Sequence, residues 1–566
     1  MKLKHMIAML LCTMMVLSLA ACGKSSGGNT TTDPDEQITL TIGIPTLSRV
    51  TEWDNNKLTL WLEEKTGYNL EFVHFSSADD EMVTQITTMV SGGEHLPDLL
   101  LSFNPGSGVI QTLGDGGYLV DLGEMFFDNE KVMKNYDYDD MIKKNLDPDM
   151  LQRVYTEGRN SKGQWFGFPR IGSSINDQPA TMVYINRAWL DKLGLEKPTN
   201  LDELYEVGKA FMEQDPNGNG KQDEIAMLGG VNVGKGDLTA WIVNNYIYVN
   251  DSYLYNVDDS GKLYLPYDMD EYREGLKTAR KFYEGGLLNS LNWTITARSE
   301  LTAMFTPVDE VAKLGVVATH LLMSTTQDNP VMLEYEPLAP FEGSYAAHNP
   351  LALSFSNYIT ADCEHPEAAF NLLCTLATPE GTRAQRYGEE GVDWQWVTDK
   401  YNGRQGVEQI NTDAYSGQTD STWGLDINCT YWVSEPGDGK DEMPSYIPNL
   451  DGPIEEDTWT QRRTKMNRGH AAQYMARAKE TDPKYMIFKV AYTDEENEAL
   501  GNFESDIRTY AKTSRAKFVT GEWDIYDDAA WNNYCDTLHK MGTETILTIN
   551  QTAWDRQQEQ LKNVKF

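Results

Sequence analysis

The stretch from Ile38 to Leu101 constrains the fold most. Ile38-Thr-Leu-Thr-Ile-Gly-Ile44 alternates and is β-rich, Leu58–Lys65 has a helical pattern closed by Gly67, and Asn69-Leu-Glu-Phe-Val-His-Phe75 alternates again. That order is a β-α-β unit. A second helix is predicted from about Asp79 to Ser91, ended by Gly92-Gly93. Pro97-Asp98-Leu99-Leu100-Leu101 then gives a third, continuously apolar strand of the parallel-sheet kind. An α/β lobe follows, in which ligands meet the loops beyond the strand carboxyl ends, here Pro45–Trp53 and Ser102–Gly108.

Charge narrows the partners. The chain has 48 Lys+Arg against 86 Asp+Glu, a formal net charge of −38, so nucleic-acid binding would work against strong repulsion and none is expected. Its 40% hydrophobic residues exclude disorder for the bulk. The N-terminus, Met1-Lys-Leu-Lys-His followed by an apolar run from Met6 to Ala20, reads as a secretory targeting segment. The run ends Leu19-Ala20-Ala21-Cys22, which resembles a bacterial lipobox and implies cleavage after residue 21 with lipid attached to Cys22. Residues 22–36, rich in Gly, Ser and Thr, read as a flexible tether. No later stretch offers about 18 consecutive apolar residues, so contact with the membrane is expected through the lipid alone, on its extracellular face. Cys363, Cys374, Cys429 and Cys535 are too few for a disulfide framework; Cys363 and Cys374 could be bridged or could each be a small buried hydrophobe.

Farther along, Gly163–Pro169 and Thr181–Asn186 read as short strands around a polar segment that could cross between lobes. From Asn186 the chain is helix-rich: Arg187–Leu193, then Asn200–Gln214 with Thr199 as N-cap. Later helices are predicted at about Glu495–Thr513, Asp527–Met541 and Thr543–Lys562, while 398–456 reads as long loops.

Between elements lies Asp215-Pro-Asn217-Gly-Asn219-Gly220-Lys221-Gln-Asp223-Glu224, with side-chain oxygens at loop positions 1, 3, 5 and 9 and Gly at 6, offsets like those of an EF-hand. Calcium wants six to eight oxygens, and this spacing curls alternate side chains inward while the Lys221 carbonyl adds one. Position 12 is Ala226, so Glu224 must close the shell. The other reading is a turn held by Asx and Gly chemistry with no metal.

Together these features resemble the extracellular solute-binding lipoproteins of ABC importers, the family 1 type that handles sugars and oligosaccharides. Further stretches carry the likeness: Gly92 to Leu101, Trp189 to Leu204, Asp215 to Ile225 and Arg386 to Trp394. The resemblance implies a two-lobed periplasmic-binding-protein-like α/β fold with hinge crossings and a helix-rich second lobe. Carried onto this chain, lobe one holds 37–170 plus 340–390 and lobe two 181–335 plus 395–566, with Tyr335–Phe341 as second crossing. It also implies structural calcium on Asp215, Asn217, Asn219, Lys221 (main chain), Asp223 and Glu224, an oligosaccharide ligand, ABC permease transmembrane subunits as partners, and a monomer.

A sugar site needs flat rings against C–H faces and forked polar groups for hydroxyls. Trp53, Asn104, Trp241, Trp394 and Trp423 are the candidates, on loops or beside polar stretches, whereas Trp61, Trp189, Trp523 and Trp531 read as helix-face core. No nucleophile elbow, phosphate loop, His-Glu-x-x-His or dinucleotide fingerprint occurs, so no catalytic residue is expected. A peptide or other small polar solute remains as ligand, and chance carboxylate pairs leave a secreted glycoside hydrolase open.

Overall fold

The computed structural model describes residues 37–136, 148–172, 175–320, 329–350, 352–403, 405–411, 413–425, 453, 459–482, 486–487 and 489–562. Two sheets, each with its own core, divide the chain.

The first sheet has the order β2-β1-β3-β11-β4. β1 (Thr39–Pro45) pairs in parallel with β2 (Asn69–Phe75) and β3 (Leu99–Leu100), joined by the two expected helices, Lys57–Thr66 and Asp79–Gly92. Both helices close on left-handed glycines, Gly67 (φ 75°) and Gly93 (φ 70°), as their sequence signals require. β4 (Gly167–Gly172) is paired through β11 (Ala352–Ile359), which runs antiparallel to both its neighbours.

The second sheet has the order β10-β5-β9-β6. β6 (Ile225–Leu228) and β9 (Leu314–Ala318) are parallel, while β5 (Val183–Asn186) and β10 (Tyr335–Pro337) complete it antiparallel. Two small hairpins are added, β7 (Asn256–Val257) with β8 (Leu263–Tyr264) and β12 (Trp394–Thr398) with β13 (Gln405–Gln409).

Several boundaries differ from the sequence reading. Asn200, not Thr199, caps the helix Leu201–Glu213, its side chain accepting from Glu203 N, while Thr199 N and Oγ1 donate to the Glu203 carboxylate. The helix expected over Glu495–Thr513 is two, Asp494–Leu500 and Phe503–Thr520, because Gly501 turns to φ 48° between them. Residues 405–409 pair as a strand where loops were expected. Tyr335–Pro337 is a sheet strand and Phe341 packs in the second core, so the chain returns to the first sheet between residues 341 and 352. The segment 413–425 packs on lobe one instead of lobe two: Thr51 N donates to Thr419 O, Asn56 Nδ2 to Thr422 O, and Trp423 Nε1 to Thr59 Oγ1.

The two connections run side by side. Ala180 N donates to Ala347 O and Asn349 N to Gln178 O. The return strand is held to lobe two by Tyr474 Oη donating to Ala347 O, Asn250 Nδ2 to His348 O, and His348 Nδ1 at 2.9 Å from Asp482 Oδ2. Tyr474 lies on the helix Trp459–Thr481, whose polar, Arg-rich sequence conceals it; buried His470 on the same helix accepts from Val183 N.

The C-terminal helices fasten to lobe two through charge. Arg515, fully enclosed on Phe503–Thr520, donates from Nη2 to Asp237 Oδ2 at 2.7 Å and also pairs with Asp251. Asp237 in turn caps the helix Leu238–Val243 by accepting from Ala240 N. No described helix is long and apolar enough to cross a membrane. Cys363, Cys374 and Cys535 are free thiols, the first two buried, and burial holds all three thiols well above their ordinary pKa.

Candidate functional site

The parallel strands β1, β2 and β3 send their carboxyl ends toward the same edge, and the N-terminal half of β11 continues past β3 in that direction. Beyond β3 lies a cavity of about 600 Å³, within the range of pockets that enclose a small ligand. Lobe one contributes Asn104, Gln111, Asn160, Gln164, Phe166 and Phe355; the C-terminal segment contributes Tyr492, Asp494, Asn497 and Gln557. The floor is organised by amides: Asn160 Nδ2 donates to Gln111 Oε1 (2.8 Å) and Gln164 Oε1 (3.0 Å). Lys489 lies over the Phe355 ring at 5.3 Å, and burial of its ammonium lowers its pKa. Tyr492 Oη is fixed by Asn550 Oδ1, leaving the phenol a ring wall with a committed hydroxyl. Such a lining offers ring faces, amide donors and carboxylate acceptors within one enclosure.

Of the five expected ligand residues, Asn104 alone lines this cavity, exposed on the loop after β3. Trp53 is half-buried at the edge of the first core, its ring 4.9 Å from that of His74. The other three have structural partners in place of an open ring face. Trp423 is 0% exposed inside the first core. Trp241 is buried in the second core with its ring 5.2 Å from Phe341. Trp394 is buried and donates from Nε1 to Gly388 O, while its neighbour Trp396 remains open to solvent. Loop position alone does not expose a tryptophan, since its large apolar ring is buried wherever loops fold back on a core. Sequence reasoning missed Asn160, Gln164 and Tyr492. The first two sit in the amide-rich run 160–164, a legible signal, but nothing linear brings 489–497 to them.

The loop from Asp215 is wound as its spacing predicts. Asn219 N donates to Asp215 Oδ1 and Asn217 Oδ1, Gly220 N to Asp215 Oδ2, and Lys221 N to Asn219 Oδ1. Gly218 and Gly220 adopt φ 73° and 76°, which only glycine tolerates freely. Asn217 and Asn219 both turn their amide nitrogens to Asp223 Oδ1. Both Glu224 carboxylate oxygens are enclosed with no donor at hydrogen-bonding geometry. Burial raises the Glu224 pKa, reinforced by Asp215 and Asp223 and opposed by the amides of Glu224 and Asn217. Among the described residues no three His, Cys, Asp or Glu converge closely enough to hold a metal by themselves, so amide oxygens and a main-chain carbonyl would complete any shell here. The orphaned Glu224 oxygens, two further carboxylates and adjacent amides fit a hard oxygen-seeking cation. Cys22 lies outside the described residues.

Two α/β lobes joined by paired connections, with a polar-aromatic cavity beside them, make up a two-lobed α/β architecture. Residues 48–285 match the family model of bacterial extracellular solute-binding proteins. The chain is 24% identical over 577 residues to the fructooligosaccharide ABC transporter substrate-binding protein FusA of Streptococcus pneumoniae, covering 97% of each chain. Among solved structures it resembles an HMO-binding solute-binding protein of Bifidobacterium longum infantis (TM-score 0.68, 19% identity, 92% of this chain and 99% of that one). An EF-hand mutant of FusA in complex with fructo-nystose is also similar (TM-score 0.65, 20% identity, 92% and 100%).

Proposed function

We propose that this is a lipid-anchored substrate-binding protein that captures an oligosaccharide outside the cell and delivers it to an ABC permease without altering it. The observation that carries the reading is the cavity beside the connections, walled by Phe355 and Tyr492 and furnished with Asn104, Asn160, Gln164 and Asn497. The full-length similarity to a fructooligosaccharide-binding protein supports it. Ligand contacts to both lobes would favour the shut arrangement, and docking on the permease would favour release. Asn104 and Trp53 remain the assigned lobe-one contacts from the sequence; for Trp241, Trp394 and Trp423 the burial described above favours a structural role. Calcium would be held by Asp215, Asn217, Asn219, the Lys221 carbonyl, Asp223 and Glu224, away from the cavity, and would tie the loop before β6.

Calorimetry against oligosaccharides and peptides tests the ligand class. We expect saccharides alone to bind, with no product formed, and Tyr492→Ala to weaken them by about 1–3 kcal/mol through loss of a stacking wall. Peptide binding without saccharide binding would move the assignment to the other solute class, and turnover would move it to a hydrolase. For the anchor, labelled fatty acid should travel with the wild-type chain and be lost in Cys22→Ala; label persisting in that variant would remove the anchor.

A further inference from the structure

The parallel strands β6 and β9 end at Leu228 and Ala318, and the first connection delivers the chain from lobe one to β5 at this same end. The loops here therefore face lobe one. They hold three basic side chains. Lys235 sits on the glycine-rich loop 229–236 with φ 64° and donates from Nζ to Asp177 O (2.9 Å) and Pro179 O (2.6 Å), both on the first connection. The loop is rigidly placed, since Gly229 N donates to Asn292 Oδ1, Val231 N to Asn292 O, and Lys235 O accepts from Met182 N. A side chain at Gly229 would meet the Gly236 carbonyl at 2.1 Å, so the loop folds this tightly only with glycine there.

Arg298 begins the helix Arg298–Phe305 and brings its guanidinium to 3.8 Å from a Cβ built at Gly234. Its Nε is buried without a hydrogen-bond partner, and no ion pair holds it among the described residues. His320 follows β9, is 7% exposed, and has Nδ1 buried without a partner. The acid recorded beside them is Asp177, whose carboxylate is 67% exposed and 3.9 Å from His320 Nε2. Burial first, then the charges of Lys235 and Arg298, push His320 down to about 4. Arg298 Nε is a buried donor without an acceptor among the described residues, which costs stability unless something else supplies one.

We propose that Arg298, His320 and Lys235 form an anion subsite on the lobe-two wall that takes the carboxylate of an acidic saccharide. Arg298 presents a planar fork suited to a carboxylate, neutral His320 supplies an N–H, and Lys235 contributes positive charge while its position is set by the connection. The subsite rests on the oligosaccharide reading above and specifies its substrate class: a uronate-bearing chain in place of a neutral one.

The test is calorimetry on wild type and Arg298→Gln with three probes: a uronic-acid oligosaccharide, its carboxyl-reduced neutral counterpart, and sodium sulfate. Wild type should bind the uronate at least about tenfold tighter than the reduced counterpart, a preference that weakens with salt. Arg298→Gln should erase that preference while leaving the neutral sugar's affinity unchanged and without lowering the melting temperature, and Arg298→Lys should keep part of it. Equal affinities in wild type, a preference that survives Arg298→Gln, or binding of sulfate but not the uronate would each overturn the subsite while leaving saccharide capture intact. Failure of every saccharide to bind would overturn both.

Discussion

Replacing Arg515 with methionine is expected to lower unfolding stability by about 3–5 kcal/mol, the usual loss when one partner of a buried ion pair is removed. The effect is large because Arg515 is only 4% exposed and bridges two carboxylates, one of which caps a helix of lobe two. Burial works to raise the Asp251 pKa, yet Arg515 outweighs it and holds the carboxyl below its ordinary value. A depressed carboxylate stabilises the fold above its unfolded pKa of about 3.9 and loses that contribution as pH falls through the folded value. The gap between wild type and Arg515→Met should therefore be full at neutral pH and shrink below about pH 4. Urea unfolding with an unchanged slope measures it. A loss below about 1 kcal/mol would show that the C-terminal helices are held by packing alone. The double change Arg515→Met with Asp251→Leu should recover part of the deficit, since one stranded charge is then gone.

Calcium removal should give the second large effect. Without a cation, Asp215, Asp223 and Glu224 repel one another, and the Glu224 oxygens have no donor. A cation at about a hundred times its dissociation constant would stabilise the fold by about 2.7 kcal/mol. Chelator should lower the melting temperature of the wild-type protein. Glu224→Gln should behave oppositely on the two sides: less stable than wild type in calcium, more stable in chelator, because the substitution relieves the repulsion it leaves unanswered. No response of wild type to chelator, or an unaltered calcium response in Glu224→Gln, would exclude the site.

The first lobe was legible because its signals are local. Period-two strands, helices ended by Gly67 and Gly93, and an apolar β3 all agree with the observed register of β1, β2 and β3. The winding of the loop from Asp215 to Glu224 was legible for the same reason: its residues lie within ten positions and bond to one another. The wall of the cavity was not. Tyr492 reaches Asn160 only through the docking of the C-terminal segment, and Trp423 reaches Thr59 across 364 positions. Hydrophobic pattern also failed for Trp459–Thr481, whose buried contacts include His470 and Asn467 bonded to lobe two, polar groups that a reading by apolar period passes over.

The return strand has unequal loyalties. Tyr474, Asn250 and Asp482 all grip it from the lobe-two side, so residues 346–349 are bonded more closely to that lobe. Any swing between the lobes would then turn about an axis displaced toward the first sheet, with residues 346–349 staying with the half that bears Arg298 and the C-terminal helices.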